Sequence, residues 1–196
     1  MTTWTCKGPL TALALLALSG CEAGQGFGTL SLRSPEGAED TLPLARARMS
    51  GGAIMLVPPS GFCIDRASID KDFALLAHCE ALGGPVTDPN APLGVISVSM
   101  LPVAPDGPLP TITEIARAAA LNEISDASEG PAQLVFHARG PAPQEGLSER
   151  HWRGAMLLND RMVGVAFYEP AGGRAAGSAG RAVVTSLLER TRAASK

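Results

Sequence analysis

The sequence has no excess of basic residues, and it has few aromatic ones. Its 196 residues carry 16 Lys and Arg against 19 Asp and Glu, a formal net charge of −3 at pH 7. Charges of both signs are mixed along the chain and form no basic patch, which argues against nucleic acid as a partner. Aromatic residues make up 4% of the chain, so few side chains are available as the large anchors that interfaces use.

Apolar runs long enough to cross a membrane are also missing. The run from Leu10 to Leu18 is much shorter than the roughly 20 apolar residues that a spanning helix needs. A second run, "GAIMLVPP", is interrupted by Pro58 and Pro59. The sequence therefore predicts a soluble domain that is tethered at one end.

Motifs for catalysis or metal binding are absent. The histidines, His78, His137 and His151, are not in the close pairs that zinc sites use. The nearest match to a serine nucleophile elbow, "AGSAG" at 176–180, lacks the first glycine of that motif. The acidic residues around Arg66 and Lys71 are typical of a solvated turn. We therefore predict no catalytic residue, no metal and no cofactor.

The N-terminus has the three parts of a secretory signal peptide. "MTTWTCKGP" carries one cation, Lys7, and no acid; "LTALALLAL" is nearly all apolar; "SGC" ends the segment with small residues and a thiol. We assign residues 1–20 to the signal peptide. Without Lys7 the balance is 15 basic against 19 acidic residues, a net charge of about −4.

The segment Leu18-Ser19-Gly20-Cys21 resembles the lipobox of bacterial lipoproteins. The resemblance implies that a diacylglycerol is added to Cys21 and that the chain is cut before it. Two acyl chains on one residue give a stable membrane anchor. Glu22 follows in place of Asp, which by the family's sorting rule favours the outer membrane over the inner one. We therefore expect a periplasm-facing, lipid-anchored protein of the cell envelope, with a lipidated, flexible tether over 21–43 and one globular domain over 44–196.

Two cysteines remain for the folded body. Cys6 leaves with the signal peptide and Cys21 takes the lipid, so Cys63 and Cys79 form an even pair in an oxidising compartment. This predicts a disulfide between them. The alternative is two separately buried thiols.

Hydrophobic patterns predict the elements of the domain. "AIMLVPP", "DFALLAHC" and "AQLVFHAR" read as strands, and "PLGVISVSMLP" as a strand with Ile96, Val98 and Met100 on one face. "SGFCIDRASID" reads as a turn with one helical turn. The strongest helix is "PTITEIARAAALNEIS", where Thr111 and Glu114 make a capping box.

The C-terminal third continues with a hairpin and a helix. Asn159-Asp160 is the turn of a hairpin within "ERHWRGAMLLNDRMVGVAFYEP". "AGGRAAGSAG" is predicted to be a mobile loop. The last segment, "GRAVVTSLLERTRAAS", predicts an amphipathic helix. Its buried face consists of Val184, Leu187, Leu188 and Thr191.

This order predicts an α+β fold, in which helices pack on an antiparallel sheet. From Ile54 onward the element order, with its Gly-rich loop before the last helix, resembles the PsbP/Mog-like α/β/α sandwich. Domains of that kind serve several unrelated roles as accessory subunits, so the resemblance implies a fold and no single activity. "GFCID" followed by "FALLAHCEALGG" is similar to a pattern in uncharacterised exported bacterial proteins, which supports the pairing of the cysteines.

The candidate interaction surface lies on the predicted hairpin. Arg150, Trp152 and Arg153 on one strand, with Tyr168 on the other, would line a binding surface if one face of the sheet is wet. Trp, Tyr and Arg are the usual anchors of interfaces. In the alternative, Trp152 fills the core between sheet and helix, with His151 and Arg153 on the other side of its strand.

Two functional hypotheses follow. The first is a lipid-anchored, non-catalytic module that binds a partner protein in the envelope, which predicts an exposed apolar or aromatic patch and no buried charged cluster. The second is a small-ligand-binding or hydrolytic domain, which predicts a pocket with convergent polar groups and shifted pKa values. The sequence favours the first, because it shows no nucleophile, acid–base pair or metal ligand set.

Overall fold

The structure is a computed structural model that describes residues 42–104, 107–172 and 177–196. The predicted signal peptide, the lipobox with Cys21 and nearly all of the predicted tether lie outside these residues. Residues 173–176, within the predicted mobile loop, also lie outside them.

Nine strands and two α-helices form the described part of the chain. They are β1 (Ala47–Met49), β2 (Ile54–Leu56), β3 (Phe62–Ile64), β4 (Phe73–His78), β5 (Val95–Pro102), α1 (Ile112–Ala118), β6 (Asn122–Glu129), β7 (Gln133–Arg139), β8 (Arg150–Leu158), β9 (Arg161–Tyr168) and α2 (Ser178–Ala194). Short 3₁₀ turns lie at Ser50–Gly52, Arg66–Ser68 and Glu80–Leu82.

Seven strands form one antiparallel sheet in the order β3-β4-β5-β9-β8-β7-β6, and β1 and β2 form a separate hairpin. The predicted alternation in β5 is confirmed, since Ile96, Val98 and Met100 are 0 to 1% exposed. The predicted β8–β9 hairpin is confirmed as well. Its turn residues, Asn159 and Asp160, both have positive φ, as a type I′ turn requires.

Helices cover opposite faces of this sheet. Successive residues of a strand point to opposite sides, and β7 shows the division. Val135 packs in the cluster that contains Val184 and Leu187 of α2, whereas Leu134 and Phe136 pack in the cluster that contains Ile112 of α1. The β1–β2 hairpin packs in the first cluster too. The fold class is therefore α+β, with a helix on each side of an antiparallel sheet.

Helix α2 presents the predicted buried face to the sheet. Val184, Leu187, Leu188 and Thr191 are all 0% exposed. The Thr191 hydroxyl also accepts a hydrogen bond of 3.2 Å from the backbone N–H of Val57, which ties the helix to the end of β2.

Two predictions of secondary structure were wrong. The helix predicted over 110–125 ends at Ala118, although its capping box at Thr111 and Glu114 is confirmed. Ala120 has a positive φ, and Asn122–Glu129 forms edge strand β6. All eight residues of β6 are exposed, so no buried face marked it in the sequence. The segment "SGFCIDRASID" contains the predicted helical turn, but also strand β3.

Candidate functional site

The predicted interaction surface is divided between the two faces of the sheet. Trp152 belongs to the buried cluster on the α2 side, and Arg150 lies two residues before it on the same strand face. Arg153 lies on the α1 side, where it contacts Tyr168. The four residues therefore do not form one surface, because neighbouring strand residues alternate.

Trp152 is a core residue, as in the alternative considered for it. It is 3% exposed, and its ring lies 5.1 Å from that of His137 on the adjacent strand. The indole Nε1 and the His137 Nε2 are both buried without a hydrogen-bond partner among the described residues. Burial lowers the pKa of His137, so its imidazole is neutral at pH 7.

On the α1 side, His151, Arg153 and Tyr168 form a hydrogen-bonded cluster. The Arg153 Nε–H donates to His151 Nε2 at 2.9 Å, and an Nη2–H donates to the Tyr168 hydroxyl at 3.0 Å. The Tyr168 ring stacks on the His151 ring with centroids 4.4 Å apart. The hairpin register places Tyr168 beside His151, and the guanidinium lies 5.9 Å from the centre of the Tyr168 ring. Both neighbours thus hold the guanidinium in one position.

The protonation states of this cluster follow from burial. Burial lowers the pKa of His151 to about 4, so its ring is neutral at pH 7. Its Nδ1–H donates to the Glu149 carbonyl at 2.8 Å, which leaves Nε2 as the acceptor for Arg153. Burial also lowers the pKa of Arg153 and raises that of Tyr168. A guanidinium nevertheless stays protonated in proteins, so the cluster carries one positive charge.

A groove runs from Arg153 between α1 and strands β5, β9 and β8. Its volume is about 240 Å³. The floor consists of small residues, and the helix side and far end consist of apolar ones. The floor includes Ser97, Ser99, Gly164 and Ala166, and the apolar wall includes Leu101 and Ile115. The face of the sheet beyond α1 is open, since Leu101 is 52% exposed and Phe73, opposite Ser99, is 39% exposed.

Arg153 has no ion pair with any residue that the structure describes. Exposed arginines on the same sheet do have carboxylate partners: Arg139 bonds Glu149 at 2.9 Å and Glu123 at 3.3 Å, and Arg150 bonds Glu123. Those exposed pairs contribute little to stability. A half-buried cation without a counter-ion is the less common arrangement, because charged residues away from water are usually paired.

The other predicted residues lie away from this groove. Cys63 and Cys79 are joined in a disulfide at the β3 edge of the sheet, with Cα atoms 4.8 Å apart. The His78 Nε2–H donates a hydrogen bond of 2.9 Å to the Pro92 carbonyl. Within the described ranges, no group of three or more His, Cys, Asp or Glu could hold a metal ion. No helix in those ranges is long and apolar enough to cross a membrane.

Sequence reasoning missed the groove and the role of His151. One signal for the cluster was present: counting outward from the Asn159-Asp160 turn places His151 opposite Tyr168, on the face of Arg153. The groove itself had no local signal, because it depends on where α1 packs over three strands that are distant in sequence.

No protein-family model matches the chain. No curated protein matches it either. Among solved structures, a mutant of protein Mog1 is similar at 14% sequence identity with a TM-score of 0.46, over 74% of this chain and 92% of the Mog1 chain. The likeness is distant and concerns the fold alone.

Proposed function

We propose that the chain is a lipid-anchored envelope protein whose folded body is a non-catalytic binding module, with the groove under α1 as its ligand site. Arg153 carries the proposal, as a half-buried cation at the end of the groove with no described carboxylate beside it. An unpaired buried charge costs free energy. A ligand that supplies the opposite charge removes that cost on binding.

The contacts of the cluster favour a small ligand over a large partner surface. The polar groups of His151, Arg153 and Tyr168 converge, and the pKa values of all three are shifted, which is typical of binding sites. The groove volume of about 240 Å³ is below the roughly 300 Å³ at which pockets for drug-sized molecules begin. The site therefore suits a short molecule.

The same contacts support binding without catalysis. Both ring nitrogens of His151 are engaged, one with the Glu149 carbonyl and one with Arg153. His151 is therefore not available to activate a hydroxyl as a general base. Ser97 and Ser99 line the groove without a described base hydrogen-bonded to either hydroxyl.

Support for the anchor comes from the sequence of the leader. Leu18-Ser19-Gly20-Cys21 supplies the thiol for lipid attachment and the small residues before the cleavage point. The two acyl chains would hold the domain at a membrane surface. Cys21→Ala is expected to release the protein from membranes, and full retention of that variant on membranes would refute the anchor.

The binding part is tested by native mass spectrometry of the protein extracted gently from its own membranes. The wild type should carry a small non-covalent mass that is lost on denaturation, and Arg153→Gln should not carry it. Equal non-covalent masses on both proteins would rule out the groove as the ligand site. The same spectra show whether a lipid-sized covalent mass lies on a chain that starts at Cys21.

A further inference from the structure

We infer that the ligand of the groove bears a single carboxylate, which the Arg153 guanidinium binds, and a short apolar portion that lies along the small-residue floor toward Leu101. This inference rests on the proposed function above and names the class of its ligand.

The charge of the site fits a monoanion. Arg153 is the one charged residue among the described residues that line the groove. One guanidinium neutralises one negative charge, so a phosphate with two charges would stay half compensated in a partly buried site. The planar fork of arginine matches the two oxygens of a carboxylate, and such charge-assisted pairs are the stronger hydrogen bonds.

The guanidinium has donors to spare and is held in place. Arginine has five N–H donors, of which one bonds His151 and one bonds Tyr168. Three donors are therefore left by the described contacts. Because His151 and Tyr168 already fix the side chain, little conformational entropy is lost when a carboxylate binds.

The floor leaves room for a short chain. At Gly164 no side chain rises into the groove, and a Cβ at this position would lie 3.1 Å from the Ser99 hydroxyl. Ser97 and Arg153 both pair with Ala166 in the sheet, from opposite sides. Neighbouring strands are about 4.8 Å apart, so about 10 Å separates the backbones of Ser97 and Arg153. Leu101 lies four residues beyond Ser97 along β5, about 13 Å along the strand, so hexanoate would cover the floor and longer chains would reach Leu101.

The far end of the groove is apolar. Leu101 and Ile115 line it, and Leu101 is 52% exposed. Affinity should therefore rise with chain length across acetate, butyrate and hexanoate, by about three- to fourfold for each methylene that is covered.

The experiment measures dissociation constants from ¹H–¹⁵N spectra of the purified full chain, titrated with sodium hexanoate. We expect a Kd of about 1 mM, with shifts at the amides of Ser97, Ser99 and Gly164. Hexanamide has the same shape without the charge and should bind at least about tenfold more weakly. Arg153→Gln should weaken hexanoate by a similar factor, whereas Arg190→Gln, at an exposed position on α2, should leave it unchanged.

A second variant tests the apolar half without touching the charge. Leu101→Ala is at an exposed position, so the fold should tolerate it. It should weaken octanoate, whose longer chain reaches Leu101, several-fold and leave butyrate unchanged.

Several results would overturn the inference. Equal affinity for hexanoate and hexanamide, or tighter binding of inorganic phosphate than of hexanoate, would refute recognition of a carboxylate. If hexanoate at about 50 mM, which is 50 times its expected Kd, causes no shifts at the groove residues, recognition of a carboxylate is refuted as well. The native mass measurement judges the proposed function separately, since a ligand of another class would still be lost from Arg153→Gln.

Discussion

Removing the disulfide should lower stability by an amount that follows from the length of its loop. Cys63 and Cys79 are 16 residues apart in sequence. In the chain-entropy description, a cross-link that closes a loop of this length stabilises by about 3 kcal/mol, mainly by restricting the unfolded chain. For a domain of this size each kcal/mol corresponds to about 2–4 °C in Tm, so the loss should be about 6–12 °C.

The perturbation is best made by the double variant Cys63→Ser/Cys79→Ser. The two cysteines are 8% and 2% exposed, so a reductant reaches the bridge slowly in the folded protein. A single substitution would also leave a thiol free to pair with another molecule. Serine keeps nearly the same volume at both positions.

Thermal unfolding followed by circular dichroism under non-reducing conditions measures the effect. As a control, adding a reductant should lower the Tm of the wild type on slow equilibration and leave the Tm of the double variant unchanged. A double variant that melts within 1 °C of the wild type would show that the bridge does not constrain the unfolded chain as reasoned.

Three further predictions concern the turn, the core and the titrating groups. Asp160→Gly should raise the free energy of unfolding by about 0.5–1 kcal/mol in urea titrations, because glycine adopts the positive φ of this turn position without strain; a destabilised variant would contradict this. Gly154→Ala should cost about 1–3 kcal/mol by the same assay, because its Cβ would lie 2.5 Å from Val184 Cγ1 in the packed interface with α2; unchanged stability would show that α2 can shift. Stability should fall as the pH decreases from about 6.5 to about 4. The pKa of His151 is about 4 in the folded protein and about 6.5 in the unfolded chain. The unfolded chain therefore binds more protons than the folded protein in this pH range. We expect His151 to account for about 2 kcal/mol of that fall, and His151→Gln should flatten the profile; a profile that His151→Gln leaves unaltered would contradict the assignment.

Local patterns were enough to predict much of the sheet and its helices. The alternation in β5, the turn at Asn159-Asp160 and the apolar face of α2 each concern residues close in sequence, and all three are confirmed. The capping box at Thr111 and Glu114 marked the start of α1 correctly.

The errors lie where local patterns are weak. The helical propensity of the alanines in 116–120 favoured a longer helix, but tertiary pairing with β7 makes a strand from Asn122. Strand β3 has three residues, and all of them are buried. Its sequence therefore shows no alternation of apolar and polar residues, and it is too short to be recognised as a strand. In both cases the strand exists because of a neighbour that is distant in sequence or lies across a loop.

The candidate site was predicted in part. The sequence placed His151 and Arg153 on the opposite side of their strand from Trp152, which is correct. It did not show that Arg153 bonds His151 and Tyr168, nor that α1 closes a groove over Gly164 and Ala166. Those features depend on hairpin register and on packing between layers.

The most direct test of carboxylate binding by Arg153 is a crystal structure of the protein grown with hexanoate. We expect density for the ligand in the groove under α1, with both carboxylate oxygens about 2.7–2.9 Å from donors of the Arg153 guanidinium and the chain directed toward Leu101. Density for hexanoate at an exposed arginine such as Arg139, with an empty groove, would contradict it.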